Sequence, residues 1–416
     1  MRLIVQKYGG TSVGTPERIR AVAQRLIETQ REGCRVVAVI SAMAGVTDDL
    51  MKLARSTSPN PTARELDVLL ATGESAAIAL TAMAVNSLGG KAVSLTGAEA
   101  GILTDRTHTK AKIANITPRQ IQALLAEDYI VIVAGFQGQT AEGETTTLGR
   151  GGSDLTAIAL AGALNADACQ IFTDVDGVFT CDPHVIGEAQ KLDEIAYDEL
   201  LEMAGAGSKV LQSRAVEFAK KFSVPFEVRS SFGDKFGTTV RQGTPNMEDV
   251  VVRGVSLERK QAKVTVYNVP DEPGIAGRIF SAISAANIVV DMIVQNDSSN
   301  KTTDISFTLH DSELAEAERL LAPVATEIGA SRVAAQSGVA KLSVVGIGMR
   351  SHSGVAARLF ESLGKGGINI RLISTSEIKI AVVLDAADLD RAAQLTHEGF
   401  GLARLAPNIG VVAQKS

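Results

Sequence analysis

The sequence contains no tryptophan, and aromatic residues make up only 4% of its 416 positions. It therefore offers no aromatic platform on which bases or sugars could stack. Cysteine is equally scarce. Cys34, Cys169 and Cys181 are too few and too irregularly spaced for a disulfide framework. Cys34 precedes an apolar run and Cys169 opens one, so both read as reduced core thiols. The five histidines form no H-x-x-H or H-E-x-x-H pattern, which argues against a His/Cys zinc site and leaves no residue assigned to a metal. No Lys/Arg block appears, and the formal charge is −6, so a bulk nucleic-acid surface and a polybasic membrane anchor are both disfavoured. The N-terminus is broken by polar residues at once, unlike a signal peptide. No apolar run is expected to reach the ~20 residues of a membrane span. A soluble cytoplasmic protein, with neither nucleic acid nor membrane as partner, is the expectation.

Hydrophobic residues at 45% and charged residues at 21% suit folded domains, two or three of them at this length. Over residues 1–245, short apolar runs alternate with helix-period stretches. Leu3–Gln6, Val36–Ile40, Ala92–Leu95, Ile130–Ala134, Gln170–Thr173 and Pro225–Val228 read as buried strands. Pro16–Gln30, Glu65–Asn86, Pro118–Ala126, Asp154–Leu164 and Tyr197–Ala204 read as amphipathic helices. This alternation predicts an α/β fold with a mostly parallel sheet covered on both faces. Ligands then belong at the carboxyl ends of the strands, where Lys7–Gly14, Ser41–Thr47, Gly135–Gly138 and Thr173–Val178 form Gly-, Ser- and Thr-rich loops.

A boundary falls near 240–262. Beyond it the chain repeats itself: the heptapeptide beginning at Gly274 matches the one at Gly354, with four identities and three conservative differences. Each copy reads as a βαββαβ unit. These spans are taken as 263–338 and 339–416, after a 1–245 domain. A pair of modules that only mediates dimerisation would show the same repeat.

Three segments carry chemistry. Lys7-Tyr8-Gly9-Gly10-Thr11-Ser12 puts two glycines and a lysine after a strand, which suits phosphate binding, although a glycine turn with a surface lysine looks the same. Gly149-Arg150-Gly151-Gly152-Ser153-Asp154 opens a helix, with Arg150 as a fork for a carboxylate or phosphate and Ser153 or Asp154 as its cap. Thr173-Asp174 leads into a long turn reaching Asp182-Pro183, where the acids could meet a ribose or a metal through water, or simply be solvated. Glu74 falls in an apolar helical stretch. Without a cation its burial would be expensive, so it is either a substrate contact or a half-exposed helix carboxylate.

These segments, with Ser41-Ala42-Met43, Thr72-Gly73-Glu74 and Ala134-Gly135-Phe136, occur together and in the same order as in aspartate kinases. The repeat, with Asp271-Glu272-Pro273-Gly274 and Ser374-Thr375-Ser376-Glu377, resembles that family's tandem ACT domains. The resemblance spans essentially the whole chain. It implies an amino-acid kinase three-layer sandwich followed by two ferredoxin-like ACT domains. It further implies ATP-dependent phosphorylation of the L-aspartate β-carboxylate, giving 4-phospho-L-aspartate, the first step toward Lys, Thr and Met.

By that resemblance Lys7 and Asp154 are catalytic, and Mg accompanies ATP. Gly9, Gly10, Ser12, Thr173, Asp174, Phe179, Asp182 and Lys209 serve the nucleotide. Ser41, Thr47, Glu74, Arg150, Gly152 and Ser153 serve aspartate. Feedback by lysine, threonine or both would act at Asp271, Gly274, Ala276, Gln295, Asn369, Ile370, Ser376 and Glu377. The family also implies a homo-oligomer, dimer or tetramer, through the ACT domains; an internal start at Met247 would yield a separate regulatory subunit. Phe179 stands where tyrosine is common and loses a hydroxyl; His184 stands where arginine is common and loses a permanent cation. Acetylglutamate kinase, glutamate 5-kinase and a catalytically silent amino-acid sensor are the rival readings. The Lys7–Ser12 hexapeptide and the ACT tail oppose the first two, and intact Lys7, Arg150, Asp154 and Asp174 oppose the third.

Overall fold

A computed structural model describes residues 1–205, 211–243, 251–296, 301–350 and 352–404. Lys209, the segment at Met247 and the last strand expected near 410–413 lie outside the described residues. The chain forms two compact units.

The first unit comprises Met1–Val178, Lys191–Ala204 and residues 211–243. Its elements in order are β1 (Arg2–Tyr8), α1 (Pro16–Arg31), β2 (Cys34–Ile40), α2 (Val46–Thr57), α3 (Ala63–Ser87), β3 (Ala92–Leu95), β4 (Ile102–Thr104) and β5 (Ile113–Ile116). Then come α4 (Arg119–Ala126), β6 (Ile130–Ala134), β7 (Gln137–Gln139), β8 (Thr145–Thr147), α5 (Gly152–Leu164), β9 (Ala168–Thr173), β10 (Glu194–Ala196), α6 (Tyr197–Gly205), α7 (Ser213–Phe222), β11 (Phe226–Ser230) and β12 (Thr238–Arg241).

Eight strands form one sheet in the order β10-β12-β11-β9-β1-β2-β6-β3, parallel throughout except β11 against β12. The expected parallel sheet is thus present. Its central strands are buried along nearly their whole length, as both-face coverage demands. Helix α1 starts where local chemistry says it should: Thr15 Oγ1 accepts the Arg18 N–H at 3.3 Å, and Pro16 follows at the first helical position. A second sheet, β5-β4-β7-β8, is built from strands of three or four residues, too short to show a period. Helix α2 begins inside what the sequence presents as a loop.

One expectation is corrected. Helix α3 has 25 residues with a window of mean hydropathy 1.7, long and apolar enough to cross a membrane, yet half of that window is buried inside the fold. Its apolar content covers several neighbours at once, among them α1, α2, β3 and β8, so it is hydrophobic nearly all round as a core helix.

The second unit comprises Phe179–Gln190 and the described residues from 251 on. It contains β13 (Gly254–Pro270), α8 (Ile275–Ala285), β14 (Val290–Gln295), β15 (Thr302–His310), α9 (Leu314–Glu327), β16 (Arg332–Val345), α10 (Val355–Lys365), β17 (Leu372–Thr375), β18 (Lys379–Asp385) and α11 (Leu389–Phe400). One antiparallel sheet, β14-β15-β13-β16-β18-β17, serves both repeats. Its two long strands run through both: Gly254–Glu258 pairs with Lys341–Val345, while Lys263–Tyr267 pairs with Arg332–Gln336. The strand opening the first repeat therefore begins by completing the second.

The eighty-residue offset is visible in the packing, since Ile275, Ile279 and Ile283 are buried as Val355, Leu359 and Leu363 are. Gly274 and Gly354 sit at φ 93° and 97° ahead of their helices, a backbone that side chains disfavour. Phe179–Gln190 adds Cys181, Ile186 and Ala189 to the core under α10 and α11, and Thr180 Oγ1 lies 2.9 Å from Nε2 of buried His397.

Candidate active site

Strands β2, β1, β9 and β11 are neighbours, so the chain leaving each carboxyl end reaches one edge of the sheet. Registers place Tyr8 beside Ile40 and Phe172, and Ser230 beside Thr173. The rings of Tyr8 and Phe172 stack at 4.7 Å. The loops 9–15, 41–45, 173–178 and 231–237 converge here for that topological reason.

Lys7 is buried, and its Nζ lies 2.7 Å from Asp154 Oδ1 in the first turn of α5. At this distance the two opposite charges hold each other at the start of α5. Gly9 N donates to Phe172 O at 3.3 Å, which fixes the loop against β9. Gly10 has a more local necessity: a β-carbon there would stand 2.7 Å from Ala42 O, and Ala44 N donates to Gly10 O at 3.1 Å. The doubled glycine lets two loops touch. Ser12 is buried, with its Oγ 2.5 Å from Ser231 Oγ. No local motif marks Ser231; only its position at the end of β11 brings it here.

Asp154 and Ser153 do not cap α5. Gly151, at φ 70°, holds that place without a side-chain bond. The cap expectation fails because the carboxylate is turned to Lys7. Gly152 packs against Phe136 and Leu148, and Ser153 is buried at the start of the helix. Arg150 is exposed in the turn and makes no ion pair with a described residue.

Glu74 is not the half-exposed helix carboxylate that its sequence context also allowed. It is 4% exposed. Its Oε1 accepts the Ala42 N–H at 3.1 Å, and Oε2 has no partner among the described residues. Burial pushes its carboxyl up to about 7, partly offset by the Ala42 N–H. An acceptor oxygen buried without a donor is costly, and a cationic ligand would remove that cost. Ser41 N donates to Tyr8 O at 3.1 Å, and Ser41 and Thr47 are both half-buried.

Thr173 Oγ1 donates to Asp174 Oδ1 at 3.2 Å at the end of β9, and Asp174 is exposed. Phe179 and Asp182 belong to the other unit. Phe179 packs on its core, and Asp182 Oδ1 accepts the His184 N–H at 2.9 Å, closing its own turn. All three cysteines are free and buried.

In the second unit, Asp271, Gly274, Ala276 and Gln295 line one cavity of about 470 Å³, together with Glu272, Thr303 and apolar side chains. Asn369, Ile370, Ser376 and Glu377 do not line it; they lie in the second repeat, Asn369, Ser376 and Glu377 exposed and Ile370 packed on that repeat's core.

With this geometry in view, the comparisons with known proteins are decisive. The Amino acid kinase family profile matches residues 2–230, and the ACT domain profile matches 265–323 and 342–400. The chain belongs to the amino acid kinase family, among its aspartokinases. It is 52% identical over 405 residues to an aspartate kinase of Pseudomonas fluorescens, covering 97% of this chain and 98% of that one. Escherichia coli aspartokinase III in complex with aspartate and ADP is 26% identical, with a TM-score of 0.79 over 95% of this chain and 99% of that one. The same enzyme in complex with lysine and aspartate gives 0.76 at 26% identity, over 96% and 99%. The aspartokinase family fold and the ACT repeats expected from sequence are thereby established.

Proposed function

We propose that the protein transfers the γ-phosphoryl group of ATP to the β-carboxylate of L-aspartate, forming 4-phospho-L-aspartate and ADP. The observation that carries this reading is Glu74, a buried carboxylate with one oxygen that has no partner among the described residues, on the same sheet edge as the Lys7–Asp154 pair. An α-amino acid substrate supplies the missing cation. Arg150 takes its α-carboxylate in this reading, and Ser41, Thr47, Gly152 and Ser153 supply the remaining substrate contacts.

The acceptor carboxylate is ionised at neutral pH, with an ordinary pKa of ~3.9, so the reaction needs no general base. What remains is positioning and charge neutralisation. Lys7 neutralises the transferring phosphoryl group, and Asp154 holds its ammonium in place. The loop of Gly9, Gly10 and Ser12, with Thr173 and Asp174, serves the nucleotide. No cluster of three metal-ligating side chains occurs among the described residues. Mg²⁺ would accompany ATP, and Asp154 and Asp174 would be the carboxylates that hold it. When bound, that ion screens phosphate charge.

The remaining reading follows the family. The cavity around Asp271 and Gln295 takes an amino-acid effector, lysine or threonine, with the second-repeat residues Asn369, Ile370, Ser376 and Glu377 forming a related site. The domains divide as 1–245, 263–338 and 339–416. The enzyme is a cytoplasmic homo-oligomer assembled through its ACT repeats at the entry to Lys, Thr and Met synthesis. Incubation with Mg-ATP and hydroxylamine tests the core of this: aspartate, but neither glutamate nor acetylglutamate, should yield acyl hydroxamate. Product with another acid only, or with none, refutes it. In the same assay, millimolar lysine or threonine should inhibit.

A further inference from the structure

Helix α3 buries a second carboxylate that the reaction above does not use. Asp67 is fully buried and, among the described residues, pairs with no lysine or arginine. Four contacts hold it. The Thr109 N–H is shared by both oxygens at 3.0 Å, the Thr147 hydroxyl donates to Oδ1 at 2.5 Å, and His108 Nδ1 lies 2.8 Å from Oδ2. Against an ionised carboxylate, Nδ1 must carry the proton. The far ring nitrogen, Nε2, faces Glu144 Oε2 at 3.8 Å, and Glu144 in turn meets Arg64 at 3.3 Å. Stability alone would be served at least as well by an apolar side chain in such a helix.

The donors share a second property: they bracket the turn that carries Arg150. Thr147 ends β8, three residues before Arg150. Ala111 N donates to Thr147 O at 2.9 Å, and Arg214 spans the two segments with 2.6 Å bonds to Leu148 O and Ala111 O. Thr109 O lies against Gly149. Arg150 itself is exposed and unpaired among the described residues, so its backbone sets its place. Glu74 lies seven residues after Asp67, two turns along one face of one helix.

We propose that Asp67 is a positioning residue for the amino-acid substrate. It ties the Arg150 turn to the helix that carries Glu74, and so sets the spacing between the carboxylate and ammonium contacts. This rests on reading Arg150 as a substrate contact.

The test compares Asp67→Asn, Thr147→Val, Arg150→Gln and the two doubles with Arg150→Gln in the hydroxamate assay. Asparagine removes the charge that strengthens every arm and turns one acceptor oxygen into a donor, which leaves a single neutral oxygen for the Thr109 and Thr147 donors. It should raise the KM for aspartate about tenfold while the KM for ATP stays within about twofold. Thr147→Val keeps the shape, removes one bond and should raise it by roughly fivefold, which keeps the test alive if Asp67→Asn does not fold. Neither change should worsen Arg150→Gln, since both act through it. Equal rises in both KM values, or losses that add to that of Arg150→Gln, overturn the inference alone. An Arg150→Gln enzyme with unchanged KM for aspartate overturns the substrate reading and this inference with it.

Discussion

Glu74→Gln removes a charge that the fold holds at a cost and that the substrate is proposed to use. In the free protein the carboxyl is pushed from its ordinary 4.5 to about 7 by burial. That gap corresponds to about 3 kcal/mol. The sign follows from the raised value. The protonated side chain is accepted below pH 4.5, and stability is lost as pH rises toward 7, because only the unfolded chain can ionise it freely. Glutamine has no such dependence. The stability of Glu74→Gln relative to the parent should therefore rise by about 2 kcal/mol between pH 5 and pH 8. Any fixed cost of the amide cancels in that difference. For a unit of this size the relative thermal midpoint should climb by about 4–8 °C. Aspartate at a hundred times its Kd should stabilise the parent by about 2.7 kcal/mol at pH 8, and the variant by much less. Paired thermal melts at the two pH values, with and without aspartate, supply every quantity. A midpoint difference independent of pH refutes the burial argument. A variant that aspartate stabilises as well as the parent refutes the ammonium assignment.

Lys7→Met should lower kcat by about 10²–10³-fold, since a preorganised cation facing developing charge is lost; Asp154→Asn should lower it less, because the ammonium remains. Both are read in the hydroxamate assay, and an Asp154→Asn loss exceeding that of Lys7→Met would reverse their roles. Lys341, 2% exposed on β16, is held between Asp291 of β14 and Glu258 of β13, the latter at 2.5 Å. The two carboxylates raise its pKa, although burial, the largest single influence, acts the other way. Lys341→Met strands two partly buried acids together and should destabilise the second unit by about 3 kcal/mol, seen as a lower urea midpoint; adding Glu258→Gln should restore part of it.

Much of this architecture is written locally. Leu3–Val5, Val36–Ile40 and Ile130–Ala134 are apolar at every position, because a strand buried on both faces needs no alternation, and they became neighbours in one parallel sheet. The ACT duplication was readable because each copy must bury the same helix face, Ile275 and Ile279 in one, Val355 and Leu359 in the other. Lys7, Asp154, Arg150 and Glu74 could be singled out because charge beside glycine, or charge inside an apolar helix, conflicts with its surroundings. Other features have no local trace. Short strands such as β7 and β8 carry no period. Ser231 lies 219 residues from the Ser12 it touches, and nothing near either reports the other. Long-range pairing also decides that Gly254–Glu258 completes the second repeat and that Phe179–Gln190 joins the second unit's core. The same distinction holds at the site. Sequence determined which charged groups were candidates, whereas only tertiary structure decided that Glu74 keeps an oxygen unpaired among the described residues and that both Asp67 oxygens meet donors. Satisfaction of a buried charge depends on donors contributed by distant segments, and the chain's local order does not record it.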